Sequence, residues 1–269
     1  MHTLQTNSAL LASLPTDRRL TGKTALVTGS TSGIGEAIAL VLAASGAAVV
    51  VSGRDTARAQ QVVDTIVQAG GQAFAVAADL VGSPDSIRTF AQKATAALGG
   101  QVDIVVNNAG VYPVTATEDL PDADLEAMLN INIRAPHVLV GALAPGMVER
   151  GTGHIVNIGS WMGRIGTSSG AMYTASKAAI EQLTRNWAAE YGPRGVRVNT
   201  VAPGATLTPG NAAYSSALDA MTAGTVAGRP VRPVDIAYAV RFLVSDEAAF
   251  VHGSIIDVDG GMDSTRLKF

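Results

Sequence analysis

Apolar runs rich in Val, Ile and Ala alternate with amphipathic segments along most of the chain. Short continuous apolar runs predict buried strands, and segments with apolar positions three and four residues apart predict helices. The predicted strands are TALVT (24–28), AAVVVSG (47–53), QAFAVAADL (72–80), QVDIVVNNAG (101–110), HIVNIGS (154–160), GVRVNTVAPG (195–204) and SIIDVDGG (254–261). Strands that alternate with helices form a parallel sheet covered on both faces, so the pattern predicts an α/β fold with a doubly wound parallel sheet of about seven strands.

The segments between the strands predict helices, and several carry start or stop signals. They are EAIALVLAAS (36–45), TARAQQVVDTIVQAG (56–70), SPDSIRTFAQKATAAL (83–98), a long segment at about 120–148, YTASKAAIEQLTRNWAAEY (173–191) and VDIAYAVRFLVS (234–245). Asp55 is predicted to cap the second helix, and Ser83 with Pro84 to open the third. Pro136 and Pro145 are expected to disturb the long segment.

No Pro-, Ser- or Gly-rich linker interrupts this alternation, so residues 21–269 are predicted to form a single domain. Residues 1–20 are interpreted as an N-terminal tail or a loosely docked helix. Their apolar part, SALLASLP, is short and no basic residue precedes it, which argues against a signal peptide. Residues 206–229 have no clear period and many small residues, which predicts a mobile flap.

Composition excludes several classes of protein. With 47% hydrophobic residues the chain can bury a core, and a net charge of -3 without a Lys/Arg block argues against nucleic-acid binding. The absence of cysteine excludes a thiol nucleophile, a disulfide framework and a Cys-ligated metal, and is compatible with a cytoplasmic protein. The four histidines show no metal-ligand spacing. The longest apolar run, residues 37–51, is broken by Ser45 and Gly46 and is too short to span a membrane.

A glycine-rich turn, GSTSGIG, lies between the first predicted strand and the first long helix. Gly29, Gly33 and Gly35 let the main chain turn tightly and approach a pyrophosphate, which binds the free amides at the helix N-terminus. Glycine is common in loops in general, but this position between strand and helix favours dinucleotide binding.

The residues after the second strand bear on the choice of cofactor. An acidic residue there would bind the adenosine ribose hydroxyls, whereas Gly53 and Arg54 offer no carboxylate and a planar guanidinium suited to a 2′-phosphate. This pattern predicts NADP(H), with NAD(H) as the alternative. The alternative is that Arg54 is a solvated charge on a loop and does not contact the cofactor.

Three side chains with possible acid–base roles lie just after the midpoint of the sequence. Ser160 ends a predicted strand, and Tyr173 and Lys177 are four residues apart on one face of a predicted helix. A nearby ammonium is expected to lower the phenol pKa from about 10 towards neutrality, which would make Tyr173 an acid–base group. The alternative is a surface Tyr–Lys neighbour pair. Asn132, an amide within an apolar helical stretch, needs a partner or a function.

Taken together, TGSTSGIG, NNAG, Asn132, Ser160, YTASK, VAPG and DVDGG, in this order and spacing, resemble the short-chain dehydrogenase/reductase family over residues 20–262. The resemblance implies a Rossmann-like sheet, a nicotinamide cofactor and a catalytic tetrad of Asn132, Ser160, Tyr173 and Lys177. Members with an arginine after the second strand usually prefer NADP(H). Ser32 departs from those NADP-dependent members that have a basic residue at this position.

The resemblance also implies a set of cofactor-binding residues, whereas the substrate candidates rest on residue type alone, with packing in the core as the alternative. The cofactor-binding set is Gly29, Ser30, Ser32, Gly33, Ile34, Gly35, Arg54, Asp79, Leu80, Asn108, Ala109, Gly110, Tyr173, Lys177, Pro203, Gly204, Thr206 and Thr208. The substrate candidates, chosen as apolar or aromatic side chains near the motifs and the flap, are Tyr112, Trp161, Met162, Ile165 and Tyr214, with Met221. No metal is expected.

The predicted function is hydride transfer between NADP(H) and a carbonyl or secondary alcohol, most consistent with reduction of an apolar ketone or a 3-oxoacyl substrate. An NAD-dependent secondary alcohol dehydrogenase and a non-catalytic NADP-binding protein are the alternatives. The partner is a small molecule, neither nucleic acid nor membrane. Members of the family are commonly tetramers, so a homo-oligomer, tetramer or dimer, is expected.

Overall fold

A computed structural model describes residues 7–14 and 18–265, and the described part of the chain is built on one parallel sheet. Its seven strands lie in the order β3-β2-β1-β4-β5-β6-β7. The strands are β1 Thr24–Val27, β2 Ala48–Gly53, β3 Gln72–Ala77, β4 Ile104–Asn107, β5 Gly153–Ile158, β6 Val196–Pro203 and β7 Ile255–Val258. The predicted α/β class and the strand number are confirmed.

Helices cover both faces of the sheet. Within the described ranges the α-helices are α1 Asn7–Ser13, α2 Gly33–Ala44, α3 Thr56–Gln68, α4 Pro84–Ala97, α5 Asp122–Met128, α6 Ala135–Arg150, α7 Ala171–Tyr191, α8 Ser215–Thr222 and α9 Pro233–Val244. One core packs α2, α3 and α9 against the sheet, and the other packs α4, α6 and α7. The predicted caps are present, because Asp55 accepts a hydrogen bond from the Arg58 amide and Ser83 accepts one from the Ser86 amide.

The strand order reverses direction between β1 and β4, which places a crevice above their carboxyl ends. β3 and β4 end at Ala77 and Asn107, earlier than their apolar runs predicted. Asp79 and Asn108 therefore lie on the loops at this edge, where doubly wound sheets bind ligands. No helix within the described ranges is long and apolar enough to cross a membrane.

The segment at 120–148 was predicted as one helix disturbed at Pro136 and Pro145, but its helical geometry changes at a different place. A π-helical stretch, Leu129–Arg134, joins α5 to α6, and α6 continues through Pro145. The wide π turn takes main-chain groups out of the regular hydrogen-bond ladder, which accommodates Pro136 just after it. The expected disturbance thus falls before the prolines, and Pro145 does not end the helix.

The segment predicted as a mobile flap, 206–229, contains helical structure that its sequence pattern did not indicate. It contains a 3₁₀ stretch, Pro209–Tyr214, followed by α8. Within the predicted tail, α1 packs Leu10 into the core formed with α2, α3 and α9. Residues 1–6 and 15–17 of that tail lie outside the described residues.

Polar side chains cross the core on three neighbouring strands of the sheet. Asn107, Asn157 and Thr200 are direct register partners on β4, β5 and β6. The Asn107 amide donates to Asn157 (2.8 Å), the Asn157 amide donates to the Thr184 hydroxyl (2.7 Å), and the Thr184 and Thr200 hydroxyls are 2.7 Å apart. These hydrogen bonds connect three strands to α7, and only the side-chain oxygen of Asn107 has no partner among the described residues.

Candidate active site

A cleft with a volume of about 490 Å³ opens above the carboxyl ends of the central strands. It brings together most of the residues predicted to bind the cofactor and three of the four predicted catalytic residues. From the predicted set the cleft is lined by Gly29, Ser32, Gly33, Ile34, Gly35, Arg54, Asp79, Leu80, Asn108, Ala109, Gly110, Ser160, Tyr173, Lys177, Pro203, Gly204, Thr206 and Thr208, and by the substrate candidate Tyr112.

The glycine turn forms one end of the cleft. Gly29 and Gly33 have φ angles of 63° and 59°, a left-handed conformation that favours glycine. The Asn108 side-chain amide donates to the carbonyls of Thr28 (2.8 Å) and Gly29 (3.1 Å), which ties the turn to the end of β4. The N-cap residue of α2, Ser32, makes no side-chain capping bond. The free amides at this helix N-terminus can therefore bind an anionic group.

Arg54 lies at the rim of the cleft, exposed to solvent, directly after β2. A Cβ at the preceding position, Gly53, would come within 2.7 Å of the Thr31 methyl group, so a larger residue does not fit there. The neighbouring carboxylate of Asp55 caps α3 and pairs with the Arg58 side chain at 3.2 Å. Arg54 is consequently the positive charge that this rim presents to a ligand, and Asp79 is an exposed carboxylate that lines the same cleft.

Ser160, Tyr173 and Lys177 meet at the other end of the cleft. Ser160 follows β5 and opens a 3₁₀ turn, Trp161–Arg164, where its hydroxyl accepts a hydrogen bond from the Met162 amide (3.2 Å). The Lys177 ammonium donates to the Ile158 carbonyl at 2.9 Å and lies 5.9 Å from the centroid of the Tyr173 ring. A serine hydroxyl, a phenol and an ammonium thus share one wall of the cleft.

Burial controls the protonation of these groups. Burial is the largest effect on Tyr173 and raises its pKa. A hydrogen bond with Ser160 lowers the Tyr173 pKa, and the nearby Tyr112 raises it. Burial also lowers the pKa of Lys177 to about 8, against an opposing effect of Glu181. The phenol pKa thus lies above its usual value, contrary to the expectation that it is lowered towards neutrality. The ammonium is held at the Ile158 carbonyl, and loss of solvation of the phenolate outweighs any attraction.

Asn132 lies beside the cleft, buried in the π-helical stretch, and does not line it. Its side-chain amide donates to the Val111 carbonyl (2.9 Å) and the Ser176 hydroxyl (3.0 Å), and its oxygen accepts from the Val111 amide (3.0 Å). The side chain therefore fixes the main chain that follows β4 against α7. The sequence indicated that the Asn132 amide needs a hydrogen-bond partner, and the main chain at Val111 is that partner.

Ser30 also lies outside the cleft lining, although it was predicted to bind the cofactor. It is fully buried, donates to the Val27 carbonyl (2.7 Å) and accepts from the Ser52 amide (2.9 Å). Its side chain therefore connects the glycine turn to β1 and β2 on the side away from the cleft. Trp161, Met162, Ile165 and Tyr214 are likewise absent from the cleft lining. Tyr112 is 56% exposed at the cleft, and Tyr214 is 68% exposed on the flap.

The cleft includes residues that the sequence reasoning missed. They are Thr31, Ala78, Val81, Val111, Ile131, Ile158, Gly159, Gly210 and Asn211. Most are direct neighbours of predicted residues, so a wider window around each motif would have found them. Asn211 gave no such signal, because it reaches the cleft by bonding the main chain of Thr206 and Thr208 within the flap.

Comparisons with known proteins agree with this architecture. The sequence profile described as Enoyl-(Acyl carrier protein) reductase matches residues 29–263. The chain is 38% identical over 245 residues to the 3-oxoacyl-(acyl-carrier-protein) reductase of Vibrio cholerae serotype O1, covering 90% of this chain and 98% of that protein.

Solved structures are similar over nearly the whole chain. One is a 7α-hydroxysteroid dehydrogenase complexed with NADH and 7-oxo glycochenodeoxycholic acid, with 38% identity, a TM-score of 0.86 and coverage of 92% and 97%. Another is a short chain dehydrogenase from Burkholderia cenocepacia J2315 in complex with NADP, with 37% identity, a TM-score of 0.82 and coverage of 91% and 100%. The resemblance carried by the sequence motifs is confirmed, and the chain belongs to the short-chain dehydrogenase/reductase family of oxidoreductases.

Proposed function

We propose that this protein transfers a hydride between NADP(H) and a carbonyl or secondary alcohol, and that it reduces an apolar ketone or a 3-oxoacyl substrate. The observation that carries the proposal is the convergence of Ser160, Tyr173 and Lys177 on the same cleft as the glycine turn. A dinucleotide bound across this cleft would bring its reactive ring to the acid–base groups.

The cleft residues fit such a cofactor. The α2 N-terminus would hold the pyrophosphate, Asp79 the adenine, and the main chain from Pro203 to Thr206 with Thr208 the carboxamide. A Cβ at Gly110 would lie 3.3 Å from the Asn132 side-chain oxygen and 3.6 Å from the Lys177 ammonium, so glycine leaves space at this wall of the cleft. The nicotinamide cofactor supplies the hydride when bound.

The protein's own groups manage the oxygen and the proton. Ser160 donates a hydrogen bond to the substrate carbonyl oxygen, and Tyr173 delivers the proton as negative charge develops there. The raised pKa of Tyr173 keeps the phenol protonated at neutral pH, the form that reduction requires. Lys177, with a pKa of about 8, is mostly an ammonium at pH 7 and can bind the cofactor ribose.

Cofactor preference tests the role of Arg54. We expect Arg54→Asp to weaken NADPH binding and to favour NADH, because the change replaces attraction for the 2′-phosphate with repulsion and supplies a carboxylate for the ribose hydroxyls. The loss in NADPH affinity should be at least about tenfold, equivalent to one charge-assisted hydrogen bond of ~1.4 kcal/mol. Fluorescence titration with each cofactor measures it.

Arg194→Asp provides the matched control, since Arg194 is an exposed arginine after α7 that does not line the cleft. It should leave the preference between the cofactors unchanged. An Arg54→Asp protein that still binds NADPH better than NADH would remove Arg54 from cofactor selection.

The substrate class is tested by turnover. NADPH and NADH consumption against ketones, 3-oxoacyl thioesters and aldehydes, with Tyr173→Phe as control, should give activity that depends on Tyr173. The similarity to a 3-oxoacyl-(acyl-carrier-protein) reductase and a 7α-hydroxysteroid dehydrogenase supports testing acyl and cyclic substrates first. Tyr112, exposed at the cleft, is the residue best placed to contact an apolar substrate.

An NAD-dependent secondary alcohol dehydrogenase is the second candidate. It is favoured by the NADH found in the structure of the 7α-hydroxysteroid dehydrogenase. Faster oxidation of secondary alcohols with NAD than reduction of ketones with NADPH would select it. A non-catalytic NADP-binding protein would bind NADPH and turn over none of the substrates.

The setting of the reaction is also part of the proposal. We infer a cytoplasmic enzyme acting on a small molecule, without a nucleic-acid or membrane partner, and assembled as a homotetramer or homodimer. The apolar helical segments at 120–148 and 170–191 would pair between copies. Light scattering on the purified protein gives the number of copies, and a monomer would overturn the assembly.

A further inference from the structure

A buried carboxylate lies one helical turn beyond the candidate catalytic lysine. Lys177 and Glu181 are four residues apart on α7, and they are 7% and 2% exposed, respectively. Residues at this spacing share a helix face, so the two charged side chains point into the same buried layer. Glu181 is not part of the cleft lining.

Glu181 also reaches the main chain that carries Ser160. A Cβ at Gly159 would lie 3.4 Å from the Glu181 Oε1 atom. This oxygen accepts no hydrogen bond from any residue in the described ranges. A buried acceptor without a hydrogen-bond donor is costly, so its charge must be offset by nearby cations.

The nearest cation is Arg164, at the end of the 3₁₀ turn that Ser160 opens. Its Nε atom lies 3.7 Å from the Glu181 Oε1 atom, and its guanidinium binds both oxygens of Asp257 on β7. Asp263 lies 3.5 Å from the same guanidinium. The turn is packed onto α7, because a Cβ at Gly163 would meet the Lys177 main chain at 3.1 Å. Arg164 is therefore fixed in place beside Glu181.

We propose that Glu181 is a positioning residue whose carboxylate keeps the Lys177 ammonium charged, and that Arg164 is the counter-ion that keeps Glu181 ionised. The inference rests on the proposed function, in which Lys177 acts as an ammonium. Glu181 touches neither the cleft nor the reacting groups and acts only through Lys177.

The charges around the pair support this assignment. Burial raises the pKa of Glu181; Arg164 from the turn and Arg185 from α7 lower it, while Asp257 from β7 and Asp263 raise it. Burial lowers the pKa of Lys177 to about 8, and Glu181 is the charged group that opposes this decrease. Glu181 thus favours the charged form of Lys177, and Arg164 favours the charged form of Glu181.

The chain offers a direct test because it contains only four lysines, at positions 23, 93, 177 and 268. Protein labelled with ¹³C at the lysine Cε gives four NMR signals whose shifts report ammonium deprotonation, and Lys177→Met assigns the signal of interest. In the free protein we expect the Lys177 midpoint to fall from about pH 8 to about pH 7 in Glu181→Gln, as when one nearby opposite charge is lost.

Three further variants separate charge from structure. Glu181→Asp keeps the carboxylate and should hold the midpoint above that of Glu181→Gln. Glu190→Gln, an exposed glutamate on the same helix, should leave it unchanged. Arg164→Gln should lower the midpoint in the same direction as Glu181→Gln, because Glu181 then binds a proton more readily. An unchanged Lys177 midpoint in Glu181→Gln would overturn the proposal.

The same change should appear in turnover. The ammonium form is present below the Lys177 pKa and is lost as pH rises through it, so a lower pKa moves the alkaline loss of kcat/KM to lower pH. The NMR titration needs neither substrate nor cofactor. A shifted midpoint in a protein without turnover would therefore contradict the proposed function and leave the role of Glu181 intact.

Discussion

Tyr173→Phe is expected to reduce kcat by roughly 10²- to 10⁴-fold, the usual contribution of a positioned general acid. Phenylalanine keeps the ring and its packing and removes only the hydroxyl that bonds with Ser160. Cofactor affinity should remain nearly unchanged, because the glycine turn and Lys177 are untouched. Steady-state kinetics with NADPH and a fluorescence titration of cofactor binding measure the two quantities separately.

Tyr191→Phe supplies the control for this substitution. Tyr191 ends α7, the helix that carries Tyr173, but it does not line the cleft, so its loss of a hydroxyl should leave kcat unaltered. Wild-type turnover in Tyr173→Phe would remove the phenol from the proton step. Equal losses of turnover and cofactor affinity would indicate a disturbed cleft instead.

Gly35→Ala should have the second large effect, on stability and cofactor binding together. Gly35 lies in the first turn of α2, and a Cβ there would meet the Gly29 carbonyl and the Asn108 side-chain amide. These atoms hold the glycine turn to β4, so they cannot give way without moving it. Overpacking of this kind destabilises by about 1–3 kcal/mol. We expect a lower midpoint of chemical unfolding and at least roughly tenfold weaker NADPH binding.

Gly166→Ala is the matched comparison and should have the opposite sign. Gly166 is an exposed residue in the loop before α7, and a Cβ there meets no atom within 4 Å. Replacing glycine by alanine where the main-chain conformation allows it stabilises by about 0.4–1 kcal/mol, because the unfolded chain has fewer conformations to lose. If Gly35→Ala were also stabilising, the close approach at the glycine turn would not constrain the sequence.

The sequence predicted those parts of the molecule that depend on local signals. The strands follow from continuous apolar runs, and the caps at Asp55 and Ser83 follow from side chains that bond their own helix. The meeting of Ser160, Tyr173 and Lys177 was predictable, because spacing on a helix and position at a strand end are both local properties. The motif resemblance added the fold family, which the comparisons confirmed.

Features set by distant contacts could not be predicted in this way. Asn132 in the π-helical stretch bonds the main chain at Val111, 21 residues away, a contact that no local pattern indicates. The direction of the Tyr173 pKa shift depends on burial, which residue spacing does not reveal. The partnership of Glu181 with Arg164 likewise needs the turn after β5 to pack on α7.

The polar chain through Asn107, Asn157 and Thr200 has a consequence for strand alignment. β4, β5 and β6 are buried along their whole length, and fully apolar strands would pack almost equally well after sliding along one another. A slip of one residue would turn these side chains to the opposite face and leave buried amides without partners. This row of polar side chains therefore makes misaligned strand pairings unfavourable during folding. It acts close to the end of β5, where the position of Ser160 relative to α7 is set.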